Sequence, residues 1–166
     1  MITHIVELTV PNADARSFYD FMINPTDERY SQWWPGEHLQ FHIVRRGDEN
    51  HLGDTVFMDE FIGPERRLTF HAVVAEASRP NKITWRMKKA GVLLPATVDL
   101  VLNDCEGGVH VRHELRIGFG GIGKILDPFI RLYFTKSFRD ALEEHCKIEW
   151  PKLANTLFLN IMEAKI

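Results

Sequence analysis

Eight histidines in 166 residues are the first place to look for chemistry, because imidazole moves protons near neutral pH and binds metal ions. Two pairs have short spacing. His110 and His113 are three residues apart on a strand pattern, so they face opposite ways and cannot share an ion. His38 and His42 share a face of a regular strand, but four strand residues hold them about 13 Å apart. No metal site is expected from either pair. His113 alone is more informative. It shares a face with Val109, Val111, Leu115 and Ile117, so it points to the apolar side. There it is either a buried neutral imidazole with one hydrogen bond or a polar anchor and acid/base group inside a cavity. Asp59 shares a face with Thr55, Phe57 and Phe61, but Val56, Met58 and Ile62 form a competing apolar face on the same strand. If Asp59 faces inward, an Asp59–His113 pair is a proton-transfer unit. His71 is out of phase with its apolar neighbours. His145 lies beside an apolar helical stripe, within reach of a pocket or its edge.

Other chemistries find less support. Cys105 and Cys146 cannot make a disulfide framework or a four-ligand zinc site. No G-x-S-x-G elbow is present, and no motif calls for a cofactor. The run Gly118-Phe119-Gly120-Gly121-Ile122-Gly123 reads as G-x-G-x-x-G. A dinucleotide site needs a βαβ unit around that motif, whereas antiparallel strands precede it and only a helical pattern follows. It reads instead as a flexible strand-to-helix connection or, as a further reading, a mobile gate with Phe119 and Ile122 as apolar residues on a glycine hinge beside a cavity mouth.

Composition narrows the class. Lys plus Arg total 20 against 23 Asp plus Glu, for a net charge of −3. No broad positive field is available for nucleic acid. The doublets Arg45-Arg46, Arg66-Arg67 and Lys88-Lys89 read as solvated strand ends. No apolar run approaches a membrane span, and the first residues do not resemble a signal peptide, so a cytoplasmic protein is expected. Aromatic residues make up 11% of the chain, with 11 Phe and 4 Trp. Such rings fill a core or line an apolar pocket.

Periodicity supplies the elements that must position these groups. His4, Val6, Leu8 and Val10 alternate with polar residues, as on a half-buried strand. Asn12 or Asp14 then caps a short helix bearing Phe18, Phe21 and Met22, and a second short helix covers Thr26–Trp34. Period-two patterns follow over Leu39–Arg46, Thr55–Ile62, Leu68–Ala77, Lys82–Lys89, Leu94–Leu102 and Val109–Gly118, separated by turn residues. Short connections imply an antiparallel meander. Its inward set is Phe41, Phe57, Phe70, Trp85, Met87, Val98, Leu100, Val111 and Leu115. Asp127 and Pro128 suit a helix start. From there Phe134, Phe138, Leu142, Cys146, Trp150, Leu153 and Leu157 hold one stripe through Pro151, as in one long kinked helix.

The segment Pro11-Asn12-Ala13-Asp14-Ala15 … Phe18-Tyr19-Asp20-Phe21 … Asn24-Pro25 … Trp33-Trp34-Pro35-Gly36, with this order of elements, resembles the START-like (SRPBCC) superfamily. Its nearest groups are polyketide cyclase/dehydrase-like proteins and lipid- or quinone-binding relatives. The resemblance implies an α+β helix-grip fold over residues 1–166 as one domain. In that fold a seven-stranded curved antiparallel sheet surrounds a long C-terminal helix, with two short helices after the first strand. It also implies a deep apolar cavity between sheet and helix, but no single chemistry, since the superfamily includes transporters, cyclases, hydroxylase domains and chaperone cofactors. The leading expectation is binding or carriage of a small hydrophobic ligand such as a lipid, quinone or polyketide-like polycycle. The cavity lining would comprise the inward set with Phe119, Ile122, Phe138 and Leu142. The rival is a cyclase- or dehydratase-like enzyme using His113 with Asp59. A third reading is a protein-interaction module, although nothing in the sequence names a protein partner.

Overall fold

Ten elements account for most of the chain: β1 (Ile2–Pro11), α1 (Ala15–Ile23), α2 (Asp27–Trp33), β2 (His38–Arg45), β3 (Thr55–Phe61), β4 (Arg67–Ser78), β5 (Lys82–Lys89), β6 (Val92–Cys105), β7 (Gly108–Ile117) and α3 (Lys136–Glu163). They come from a computed structural model that describes residues 1–63, 66–119 and 134–163, the side chains of 159–163 excepted. The strands form one curved antiparallel sheet in the order β1-β7-β6-β5-β4-β3-β2. The expected meander from β2 to β7 is therefore present, and β1 closes its far edge by pairing along the whole of β7, from Ile2↔Ile117 to Pro11↔Gly108.

Local sequence explains the element boundaries. Asp14, the second of the two expected caps, accepts from the Ser17 amide at 2.8 Å and so satisfies a free donor of the first turn of α1. Thr26 does the same for α2 through the Arg29 amide at 3.3 Å. At the β6–β7 turn, Gly107 has φ +80, and a Cβ on Gly108 would stand 2.1 Å from the Val10 carbonyl oxygen. Glycine lets β1 approach the turn that closely. The terminal helix runs continuously through Pro151. The helix start expected at Asp127 and Pro128 lies outside the described residues.

Alternation divides the sheet into two chemistries. Register places Val6, His113, Leu100, Ile83, Trp85, Val98, Val74, Ala72 and Val56 on the inner face, strand after strand. Against it lies α3, through Leu142, Cys146, Trp150 and Leu153, all buried. The outer face is polar. Arg112 bridges Glu7 and Glu114, and Arg116 bridges Glu114 and Asp99. Among the described residues, no helix is long and apolar enough to cross a membrane.

One irregularity decides which side chains meet. In β2 the register shifts between His38 and Gln40: Gln40 pairs with Asp59, but His38 pairs with Glu60. The extra residue breaks the two-residue period. His38 and Phe41, three apart, are both fully buried. His42 instead lies on the outer side, half-exposed, with Nδ1 2.8 Å from Asp27. The expectation that His38 and His42 share a face is corrected by this bulge.

Candidate functional site

Between the inner sheet face, α2 and α3 is a cavity of about 80 Å³. Most of its wall is apolar: Met58, Phe70, Trp85, Val98, Leu100, Leu142 and neighbours. One part is polar and carries Tyr30, Glu60, His113, His145 and Glu149. His38 stands directly behind these groups.

Each polar group has an identifiable origin. His145 and Glu149 are four residues apart on α3, so they project side by side from one face. Their contact is His145 Nε2 to Glu149 Oε2 at 3.4 Å. The β2 bulge brings His38 to the same oxygen, with Nε2 at 3.6 Å, and to Glu60 Oε2 at 4.0 Å. Glu60 faces inward because β3 alternates Val56, Met58, Glu60 and Ile62 on that side. Its carboxyl accepts a short hydrogen bond from the Tyr30 hydroxyl. Aromatic rings clamp both histidines. Tyr30 stacks on His38 with centroids 4.2 Å apart and planes 4° from parallel, and Trp34 stacks on His145 at 4.7 Å. Trp33 Nε1 donates to the Glu149 carbonyl at 2.7 Å, fixing α2 against α3. Neither ring nitrogen of His38, nor Nε2 of His145, has a hydrogen-bond partner among the described residues.

Burial and these contacts set the protonation pattern. Burial alone would raise the Glu149 pKa, but His145 and His38 beside the carboxylate hold it well below the usual range. Burial opposes the charging of His145, yet Glu149 and then Glu60 outweigh it and raise its pKa. Glu60 is raised by burial and by the charge on Glu149. Tyr30 is pushed well above 10 by burial and by Glu60. Next along α3, burial and then Glu149 push the Cys146 thiol up. That thiol lies 2.9 Å from His113 Nδ1, within hydrogen-bond reach, while burial lowers the His113 pKa. The site thus gathers a carboxyl held low (Glu149), an imidazole shifted up (His145) and an imidazole shifted down (His113) in one largely apolar chamber.

The residues singled out in the sequence divide accordingly. Phe70, Trp85, Val98, Leu100, His113 and Leu142 line the cavity. Phe41, Met87, Val111, Leu115 and Phe138 belong to the packed core around it rather than to its wall. The placement of Phe57 is corrected, and the open orientation of Asp59 is decided. Phe57 and Asp59 are on the outer face, because β3 turns its Val56/Met58 side inward. Phe57 packs against His42 and His71. Asp59 is gripped by Arg67 at 2.8 and 2.6 Å and by Thr69 at 3.1 Å. An Asp59–His113 proton-transfer pair therefore does not form. Phe119 lies at a surface groove with Pro95 and Arg116. Ile122, Gly120 and Gly121, and with them most of the gate, lie outside the described residues. Sequence reasoning missed the roles of Tyr30, His38, Glu60 and Glu149. The available signal was the i,i+4 spacing of His145 and Glu149; the bulge that turns His38 inward has no comparable one.

A helix closing over the concave face of a seven-stranded antiparallel sheet, with two short helices after β1, defines a helix-grip protein. No protein-family model and no curated protein sequence matches the chain. Solved structures with this fold do. SA2116 of Staphylococcus aureus, described as a protein of unknown function, aligns at TM-score 0.59 and 8% identity over 97% of both chains. NE0264 of Nitrosomonas europaea aligns at 0.57 and 9% identity, again over 97% of both. The major latex-like protein 151 of Panax ginseng aligns at 0.56 and 10% identity over 87% of this chain and 96% of its own. At these identities the likeness is one of fold.

Proposed function

We propose that the protein binds a small, mainly apolar molecule bearing a polar group at one end. The observation that carries this reading is the asymmetric cavity, with hydrocarbon and aromatic walls and Glu60, His113, His145 and Glu149 gathered in one place. Burial of apolar ligand surface would supply most of the affinity, at about 25 cal/mol per Å². The polar groups would fix its orientation. The described volume suits a compact ring system, such as a quinone or a small polyketide-like ring, better than an extended acyl chain.

The test is titration with an environment-sensitive naphthalene dye, followed by displacement with a naphthoquinone and with a fatty acid. Dye binding and preferential displacement by the quinone are expected. Val98→Phe, which intrudes on the cavity, should weaken dye binding at least tenfold. Asp59→Asn, on the opposite sheet face, should leave it unchanged. Ala72→Leu is a second intruding variant should Val98→Phe fail to fold. Absence of binding by every compound at tens of micromolar, about −6 kcal/mol, would overturn the reading.

A further inference from the structure

The arrangement of His38, His145 and Glu149 is stranger than a buried ion pair requires. Both imidazole Nε2 atoms converge on one carboxylate oxygen, at 3.6 and 3.4 Å. Both contacts are long for a charge-assisted hydrogen bond, which runs about 2.7–2.9 Å. Two ligand atoms bound tetrahedrally to zinc, each about 2.0–2.2 Å from the ion, stand roughly 3.3–3.6 Å apart. The spacing of these atoms is that of ligands around a cation rather than of a donor on its acceptor. All three donor atoms lie within 4.8 Å of one another, and all three residues are buried.

We propose that His38, His145 and Glu149 form a binding site for a divalent transition-metal ion of the zinc class. Two imidazoles and a carboxylate suit zinc, cobalt or ferrous iron, whereas calcium and magnesium prefer all-oxygen shells. The Tyr30 and Trp34 stacks already hold the histidine rings, so little ordering remains to be done on binding. Glu60, 4.0 Å from His38 Nε2, is a second carboxyl group at the edge of the site. Three protein ligands leave a coordination position for a small molecule. His145 and Glu149 also line the cavity, so that position opens toward it. The site is independent of the apolar-ligand reading, because the donors would hold an ion whether or not the cavity is filled.

Cys146 provides the internal competitor. It forms an alternative donor set with His113 and Glu149, and the two sets differ in spectrum. The experiment is titration of the chelator-treated full chain with Co²⁺ and Zn²⁺, followed by calorimetry and by visible and near-ultraviolet absorption. One equivalent should bind. Cobalt should give d–d bands without a thiolate charge-transfer band, and Cys146→Ala should retain the affinity. His145→Gln and Glu149→Gln should each lower it at least a hundredfold, while His71→Gln, exposed on the outer face, should not. Selective shifts of the His38 and His145 ring resonances on adding Zn²⁺ to the wild-type protein provide a readout free of folding effects in the variants. No binding, a thiolate band, or full affinity in both α3 variants would overturn the proposal. Dye binding by the metal-free protein is scored separately, so the two readings fail separately.

Discussion

His113 shows how one environment fixes the state of one side chain. Its Nδ1 lies 2.9 Å from the Cys146 thiol, and burial lowers its pKa from 6.5. The folded imidazole therefore stays neutral at pH values where the unfolded one takes up a proton. Its contribution to stability is present above about pH 6.5 and is lost as the pH falls from there through the lower folded value. His145 behaves oppositely, since its raised pKa stabilises below about 6.5 and that benefit fades as the pH rises through the folded value. Subtracting a non-titrating variant isolates the first effect. Between pH 7 and about 5.5, wild type should lose more unfolding free energy than His113→Gln. Equal losses in urea titrations at both pH values would refute the assignment of a neutral, buried His113.

At the level of elements, period-two and helical patterns were readable because burial on one face dictates them directly. Every strand and both short helices fall where the apolar spacing puts them, with ends displaced by a few residues. The α1 cap is a case with a measurable consequence. Asp14 binds both the amide and the hydroxyl of Ser17, at 2.8 and 2.7 Å, and the Ala15 amide is tied to Asp104 of β6 at 2.7 Å. Asp14→Ala should cost about 1 kcal/mol of unfolding free energy, read from the urea midpoint with an unchanged m-value. The candidate site was less legible, for two physical reasons. In β2, one extra residue reverses the phase, so alternation counted from His42 assigns His38 wrongly. In β3, both faces carry large apolar side chains, so period two alone could not orient Phe57 and Asp59. The outcome rests on long-range pairing: Phe41↔Met58 and Met58↔Phe70 bring the Met58 side to the core. On α3 the apolar stripe hid its own exceptions, because His145 and Glu149 share the face of Leu142, Cys146 and Leu153.

Across the whole molecule, charge lies on one side of the sheet and cavity on the other. The Glu7–Arg112–Glu114–Arg116–Asp99 ladder is partly exposed and sits where salt screens it, while the chamber beneath α3 is shielded. A molecule that occupies the chamber should therefore stabilise the entire fold. At a free concentration of 100 times its dissociation constant, a bound naphthoquinone should add about 2.7 kcal/mol. This would appear as a concentration-dependent rise in melting temperature, and a midpoint that ignores ligand concentration would exclude binding to the native state. The contact between Trp33 and Glu149 spans 116 positions, and the polar cluster is assembled around it from α2, β2, β3 and α3. No fragment that stops before the terminal helix contains the cluster. Without α3 packed against the sheet the cluster does not exist, so occupancy of the site reports that this long-range docking has taken place.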